Sequence, residues 1–347
     1  MVNRLKSRIE SAVVHRIGRK SEEEGIKYSK SLLDVHSPEL QKTLLDYFLN
    51  AFKEPIYYSF TFHGGDFVLN PMYNYIGNIF DNPDSLHKES IRIANLLYDK
   101  SDNPLIKPGE LCVAHISELL IEDEMMQAVA IFKSEDKDEF LEVSDQNGNI
   151  DLEIHTGINI KKLDKACLVL YNNRDSGFKI LNIDHSNRHK EARYWKDDFL
   201  YIAPSVDNFH NTSHVIKLTS EFVKKRLPEE LNVDAKTQTM MMKRSEAYFK
   251  EEVDFDLNTY KERVFKDLGT VEAFDTFHSE KYDNSNLKKD FKISEFAVKK
   301  QSRVFRSVIK LDKNFHIYVH GDHSKIVKGE LENGQKYYML YYDEERR

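Results

Sequence analysis

Cysteine is nearly absent: Cys112 and Cys167 are the only two in 347 residues. Both lie inside apolar runs, which excludes a disulfide scaffold and a four-cysteine zinc site. Proline occurs eight times and glycine thirteen times, too rarely for a low-complexity chain. The longest apolar stretches, such as Ala166 to Tyr171, are strand-sized and far below the ~20 residues of a membrane-spanning helix. The basic start, Met1 to Arg8, is followed by no signal-peptide pattern. Signatures of chemistry are missing too. There is no HExxH, no Gly-x-Ser-x-Gly, no Walker loop and no Gly-x-Gly-x-x-Gly. The expectation is a soluble intracellular protein without catalytic residues, metal or cofactor.

What is present is a chain able to build real cores: 40% hydrophobic, 12% aromatic and 31% charged. The formal net charge is −7, which speaks against a simple coat of DNA phosphates. The distribution speaks differently. Residues 118–153 hold 12 acids against Lys133 and Lys137, a balance of −10. Residues 285–328 hold 11 bases against four acids, a balance of +7. Segregation on this scale steers partners even when the whole chain is acidic.

The periodicity predicts an α+β fold. A strand over Ile9–Ile17 opens the chain, and Ser37-Pro38-Glu39 starts a helix reaching Phe52. Ile56–Phe62 is extended. Two further helices carry the stripes Met72, Ile76, Ile79, Phe80 and Leu86, Ile93, Ala94, Leu96, Leu97. Six strand-like runs between Leu111 and Ile183 then read as one antiparallel meander, turning at Asn147-Gly148 and Asp175-Ser176-Gly177. Helices follow: one capped by Thr212 or Ser213 and ended by Pro228, then ones near 234–251, 256–268 and from Gly269. A short helix at Ser294–Gln301 leads into two hairpins: Arg303–Leu311 with Phe315–Val319, and Lys325–Leu331 with Lys336–Tyr342. The expected organisation is an N-terminal α+β domain with an acidic meander (1–185), a helical region (186–290) and a basic C-terminal β unit (291–347).

Most chemical motifs read more simply as structure. His320-Gly-Asp-His323 offers two metal ligands without a third, and Asp145 to Asp151 departs from calcium-loop spacing. Val233-Asp-Ala-Lys236 lacks the second acid of a nuclease site. Met240-Met-Met242 cannot all face one side of a helix, so one of them must point outward. The strongest lead is a cationic strip, Lys292, Lys299, Lys300, Arg303, Arg306 and Lys310, on a scaffold of Phe291, Phe296, Phe305, Phe315 and Tyr318. Such a strip suits phosphates without reading sequence. Its counterpart is the acidic face, with Glu122, Asp123 and Glu124 as the candidate contact for a basic protein partner.

The order of motifs resembles the bacterial 37-kilodalton nucleoid-associated proteins, the NdpA-type family, in its Bacteroidetes-like branch. The resemblance rests on Ala12-Val-Val-His-Arg-Ile-Gly18, Gly109-Glu-Leu-Cys-Val-Ala-His-Ile116, His155-Thr-Gly-Ile-Asn-Ile160 and Leu163-Asp-Lys-Ala-Cys-Leu168. It continues through Asp234-Ala-Lys236, Phe291-Lys-Ile-Ser294, Leu311-Asp-Lys-Asn-Phe-His-Ile-Tyr-Val-His-Gly321 and Lys336-Tyr-Tyr338. It implies a cytoplasmic protein on the nucleoid, without enzymatic activity. Double-stranded DNA is the implied partner, with RNA as a further one; apart from the resemblance, the acidic face adds nucleoid proteins or DNA enzymes as expected partners, and a homodimer is the expected assembly of the DNA-binding reading. No residue-level DNA site comes with the resemblance, so the strip stands on charge alone. The charge of −7 requires that DNA meet a local basic face or that the protein act through another nucleoid protein.

Overall fold

The computed structural model describes residues 2–3, 6–54, 56–121, 124–146, 149–185, 194–281, 288–305, 308–311, 315–318 and 325–345. Two compact units emerge, Met1–Ser205 and Val206–Arg347. The acidity belongs to the first: it carries 25 Lys and Arg against 33 Asp and Glu, whereas the second carries 26 against 25.

The first unit is built on one antiparallel sheet. Its strands are β1 (Val2–Asn3), β2 (Arg8–Ile17), β3 (Ile26–Lys27), β4 (Tyr57–Phe60), β5 (Gly109–Ile121), β6 (Glu124–Ser134), β9 (Lys165–Leu170), β10 (Lys179–Asp184) and β11 (Ile202–Pro204). The order is β11-β4-β10-β9-β6-β5-β2-β3, with β1 on β5. Helices cover both faces. α1 (Pro38–Leu49) lies on one, where Ala12, Ala114, Ala128, Ala130 and Ala166 keep the sheet surface low. There the Phe48 and Phe132 rings stack 3.9 Å apart. α2 (Pro71–Asp81) and α3 (Leu86–Asp99) cover the other, over Val13, Val113, Val129, Ile131 and Val169. The start of α1 follows its sequence signal, and that of α2 has a side-chain cap as well. Ser37 Oγ accepts the Leu40 N–H, and Asn70 Oδ1 accepts the Met72 N–H at 2.8 Å.

The expected meander is interrupted. Residues 137–146 and 149–158 leave the sheet as a ribbon of their own: among the described residues β7 (Lys137–Gln146) pairs only with β8 (Asn149–Ile158). The reason is visible in the pattern. β9 is buried at every position, as a strand covered on both faces must be. β7 and β8 alternate apolar residues with acids and cannot enter such a layer. The predicted Asn147-Gly148 turn lies outside the described residues.

A buried polar knot holds the ribbon's root. The Lys133 ammonium is inaccessible to solvent and donates to Lys107 O (2.7 Å), Glu135 Oε1 (2.8 Å) and Tyr194 OH (3.1 Å). All three of its N–H bonds are thereby used. Asp164 Oδ2 accepts the N–H groups of Glu135 (2.8 Å) and Asp136 (2.9 Å), joining the strand that enters the ribbon to the strand that leaves it. Lys107 and Lys162 hydrogen-bond the Asp136 carboxylate and hold its pKa down at about 2.

The second unit is mainly helical: α4 (Asn208–Glu221), α5 (Leu227–Glu230), α6 (Ala235–Glu251), α7 (Leu257–Phe265), α8 (Leu268–Lys281) and α9 (Glu295–Lys300). The short strands β12 (Asp254–Asp256) and β13 (Asp290–Lys292) pair, and β14 (Val308–Leu311) with β15 (Phe315–Tyr318) and β16 (Ile326–Glu330) with β17 (Lys336–Leu340) form hairpins. The sequence reads 186–290 and 291–347 as separate regions; instead the second unit runs from Val206 through both, and the stretch up to Ser205 belongs to the first unit. The β12–β13 ladder joins the two regions, stacking Phe255 on Phe291 at 4.6 Å. Three local expectations are corrected. Asp207, not Thr212 or Ser213, caps α4, its Oδ1 accepting the His210 N–H at 2.8 Å. Pro228 does not end the helical run, because a π-helical turn, Phe222–Arg226, carries the chain into α5, where the proline sits at the start. Finally, Ser302–Phe305 is a 3-10 turn rather than strand, because Phe305 dips into the core.

Candidate nucleic-acid interface

Alternation on β13 sends Phe291 and Ile293 inward and leaves Lys292 exposed, with Asp254 as its cross-strand neighbour. Ser294 caps α9, whose Ala297 and Val298 pack into the core formed with α4 and α6. The opposite side of that short helix exposes Lys299 and Lys300 in its last turn, where cations suit the helix dipole. Arg303 follows one turn later, also exposed, while Phe305 anchors the segment. Among the described residues, Lys292, Lys299 and Arg303 make no ion pair. This separates them from Lys225, Arg226, Lys250, Lys261 and Arg263, each of which faces an acid. Arg306 lies outside the described residues; Lys310 is on β14, with its side chain undescribed.

One cation escaped the sequence reading. Lys224, on the π-helical turn, donates to the Val304 carbonyl at 2.7 Å. Burial pushes its ammonium pKa down. The signal was available, since Lys224-Lys225-Arg226 is a run of three cations, but nothing local connects it to residue 304.

The acidic face divides. Glu122 and Asp123 lie outside the described residues; Glu124 opens β6 and is exposed. The ribbon supplies more acid. Register places Phe140, Glu142 and Ser144 on one face with His155, Glu153 and Asp151. On that face His155 Nε2 lies 2.9 Å from Glu142 Oε2.

Other candidate sites dissolve into structure. Both cysteines are buried, and burial pushes the Cys112 thiol up to about 12 and the Cys167 thiol higher still. Asp234 is the cap of α6, its Oδ1 accepting the Thr237 N–H at 2.8 Å. Met240 is exposed while Met241 and Met242 are buried, as helical spacing requires. His320 and His323 lie outside the described residues. Among the described residues no cluster of three or more His, Cys, Asp or Glu is arranged to hold a metal ion, and no helix is long and apolar enough to cross a membrane.

The architecture is that of a two-unit α+β protein whose first unit is acidic and whose second exposes Lys292, Lys299 and Arg303 without an ion pair among the described residues. The family of nucleoid-associated protein YejK matches residues 13–340, and the chain belongs to that family. No curated protein matches the chain.

Proposed function

We propose that the chain is a cytoplasmic, non-enzymatic protein that contacts the phosphates of double-stranded DNA without strong sequence preference. The strip of Lys292, Lys299, Lys300 and Arg303, continued by Arg306 and Lys310, makes the contact. The supporting observation is that Lys292, Lys299 and Arg303 are exposed and make no ion pair among the described residues. Such cations release condensed counterions from DNA rather than breaking contacts of their own. A homodimer would double the contacts and turn a weak strip into a useful one. RNA offers the same phosphates.

The test is fluorescence anisotropy of a labelled random-sequence duplex at several salt concentrations. Binding that weakens steeply with salt is expected, and reversal of charge at Lys299, Lys300, Arg303 and Arg306 together should remove it. Equal binding by that variant would move the site elsewhere. Cleavage of the duplex with Mg²⁺ or Mn²⁺ would overturn the non-enzymatic reading.

A second reading is favoured by the acids gathered on one face of the ribbon. There the protein meets basic surfaces of DNA enzymes or nucleoid proteins, partly imitating DNA, with Glu122, Asp123 and Glu124 in the same acidic segment. It predicts no binding to the bare duplex at low salt, and partners lost in a pull-down when those three residues are neutralised.

A further inference from the structure

Lys224, Lys225 and Arg226 follow one another on the π-helical turn, a device often found at functional sites. The last two face acids: Lys225 lies 3.8 Å from Glu221, and Arg226 reaches Glu230 and Glu280. Lys224 makes no ion pair among the described residues. Its ammonium turns instead to backbone and donates to the Val304 carbonyl at 2.7 Å. That carbonyl belongs to the 3-10 turn Ser302–Phe305. The last carbonyls of a helical turn have no partner within it, and a lysine is a side chain suited to them.

A second tie joins the same helical run to the same segment. Thr212 Oγ1, on α4, accepts the Ser294 N–H at 3.0 Å, just before α9 begins. Between the two ties the chain forms α9 and the 3-10 turn, and it carries Lys299, Lys300 and Arg303. The Gln301 N–H bonds to the Ala297 carbonyl (2.9 Å) and the Val304 N–H to the Gln301 carbonyl (2.8 Å). Phe305 then enters the core, 3% exposed. Arg303 thus rides on backbone held on both sides, while its side chain is exposed. We propose that Lys224 is a positioning residue: by holding the Val304 carbonyl it fixes the turn that presents Arg303 to a phosphate. Without that bond the turn must be ordered when the ligand arrives. Fixing the backbone of one residue is worth about fivefold or more in an equilibrium constant, and ordering done beforehand appears as affinity.

This inference rests on the phosphate-contact reading for the role of Arg303, and a measurement without DNA lets the two fail separately. A nitroxide on Arg303→Cys in the full chain reports motion of the turn; Cys112 and Cys167 are buried and take no label. Lys224→Met should sharpen its spectrum. Lys225→Met, which removes the same charge one residue away, should leave it unchanged. In duplex titrations Lys224→Met should weaken binding about fivefold more than Lys225→Met does. On an Arg303→Ala background that extra loss should vanish, and on a Lys292→Ala background it should persist. Lys224→Arg, which keeps a donor for the carbonyl, should match the wild type in both measurements. An unchanged spectrum in Lys224→Met would overturn the proposal. So would losses at Lys224 and Arg303 that simply add, because Lys224 would then be a phosphate contact in its own right. A wild-type chain that binds no duplex at low salt would sink the phosphate-contact reading, while the spectrum still decides whether Lys224 holds the turn.

Discussion

His15 Nε2 stands 2.9 Å from Ser90 Oγ in the first unit, and the direction of that bond is set by its surroundings. Ser90 gives its hydroxyl hydrogen to the His87 carbonyl at 2.7 Å, so its oxygen accepts from the imidazole. On the other side of the ring, Nδ1 accepts the Ser29 N–H at 3.2 Å. Both nitrogens are thus committed to the neutral form, and a proton added at Nδ1 would point at another N–H. Burial, with His87 nearby, lowers the His15 pKa to about 4.

Acid should therefore loosen the first unit before its carboxylates titrate. The folded-state value lies below the unfolded one, so the unfolded chain takes up the proton first as pH falls. Stability is complete above about pH 6.5 and is lost between there and pH 4, by up to about 3 kcal/mol. Chemical denaturation at pH 7, 5.5 and 4.5 should show this slope, and His15→Asn should flatten it while lowering stability at pH 7.

Lys133→Ala should cost about 3–5 kcal/mol at neutral pH, because it strands the buried Glu135 carboxylate. Lys133→Met with Glu135→Gln should recover most of that loss. Urea denaturation of the four chains of this cycle gives the coupling directly; equal costs for the single and double changes would show that the pair is not the unit.

Met241→Ala should destabilise the second unit by about 2–5 kcal/mol through the cavity it leaves. Met240→Ala should stay within about 0.5 kcal/mol of the parent, since its side chain faces water. Thermal unfolding of the two variants distinguishes them.

Lys299→Ala and Arg303→Ala should each lower the magnitude of the salt slope for duplex binding by about one unit, uniformly across DNA sequences. Arg263→Ala, whose guanidinium already faces Glu251 and Glu252, should leave the slope unchanged. Anisotropy titrations over a salt series read all three.

The legible parts of this protein were those written locally. Ser37 with Pro38, Asp234 and Ser294 announce helix starts through a side-chain oxygen and the N–H groups a few residues on. The stripes of α2 and α3 show their buried faces by spacing alone. The strip at Lys292, Lys299 and Arg303 was legible as exposed because each cation neighbours apolar residues that must turn inward. Lys224 beside Val304 was not, since eighty residues separate them.

Residue order by itself determined the α+β class, the helix starts at Ser37, Asp234 and Ser294, that one of Met240, Met241 and Met242 faces outward, and the separation of acid from base along the chain. Each depends on neighbours within a turn or two. Only the tertiary structure decided that β7 and β8 leave the sheet, that Lys133 is buried among three acceptors, and that Lys224 reaches the Val304 carbonyl. Strand partnership and burial are settled by segments far apart in sequence competing for the same surfaces. An alternating strand reads the same whether its apolar side meets its own core or stays at the surface.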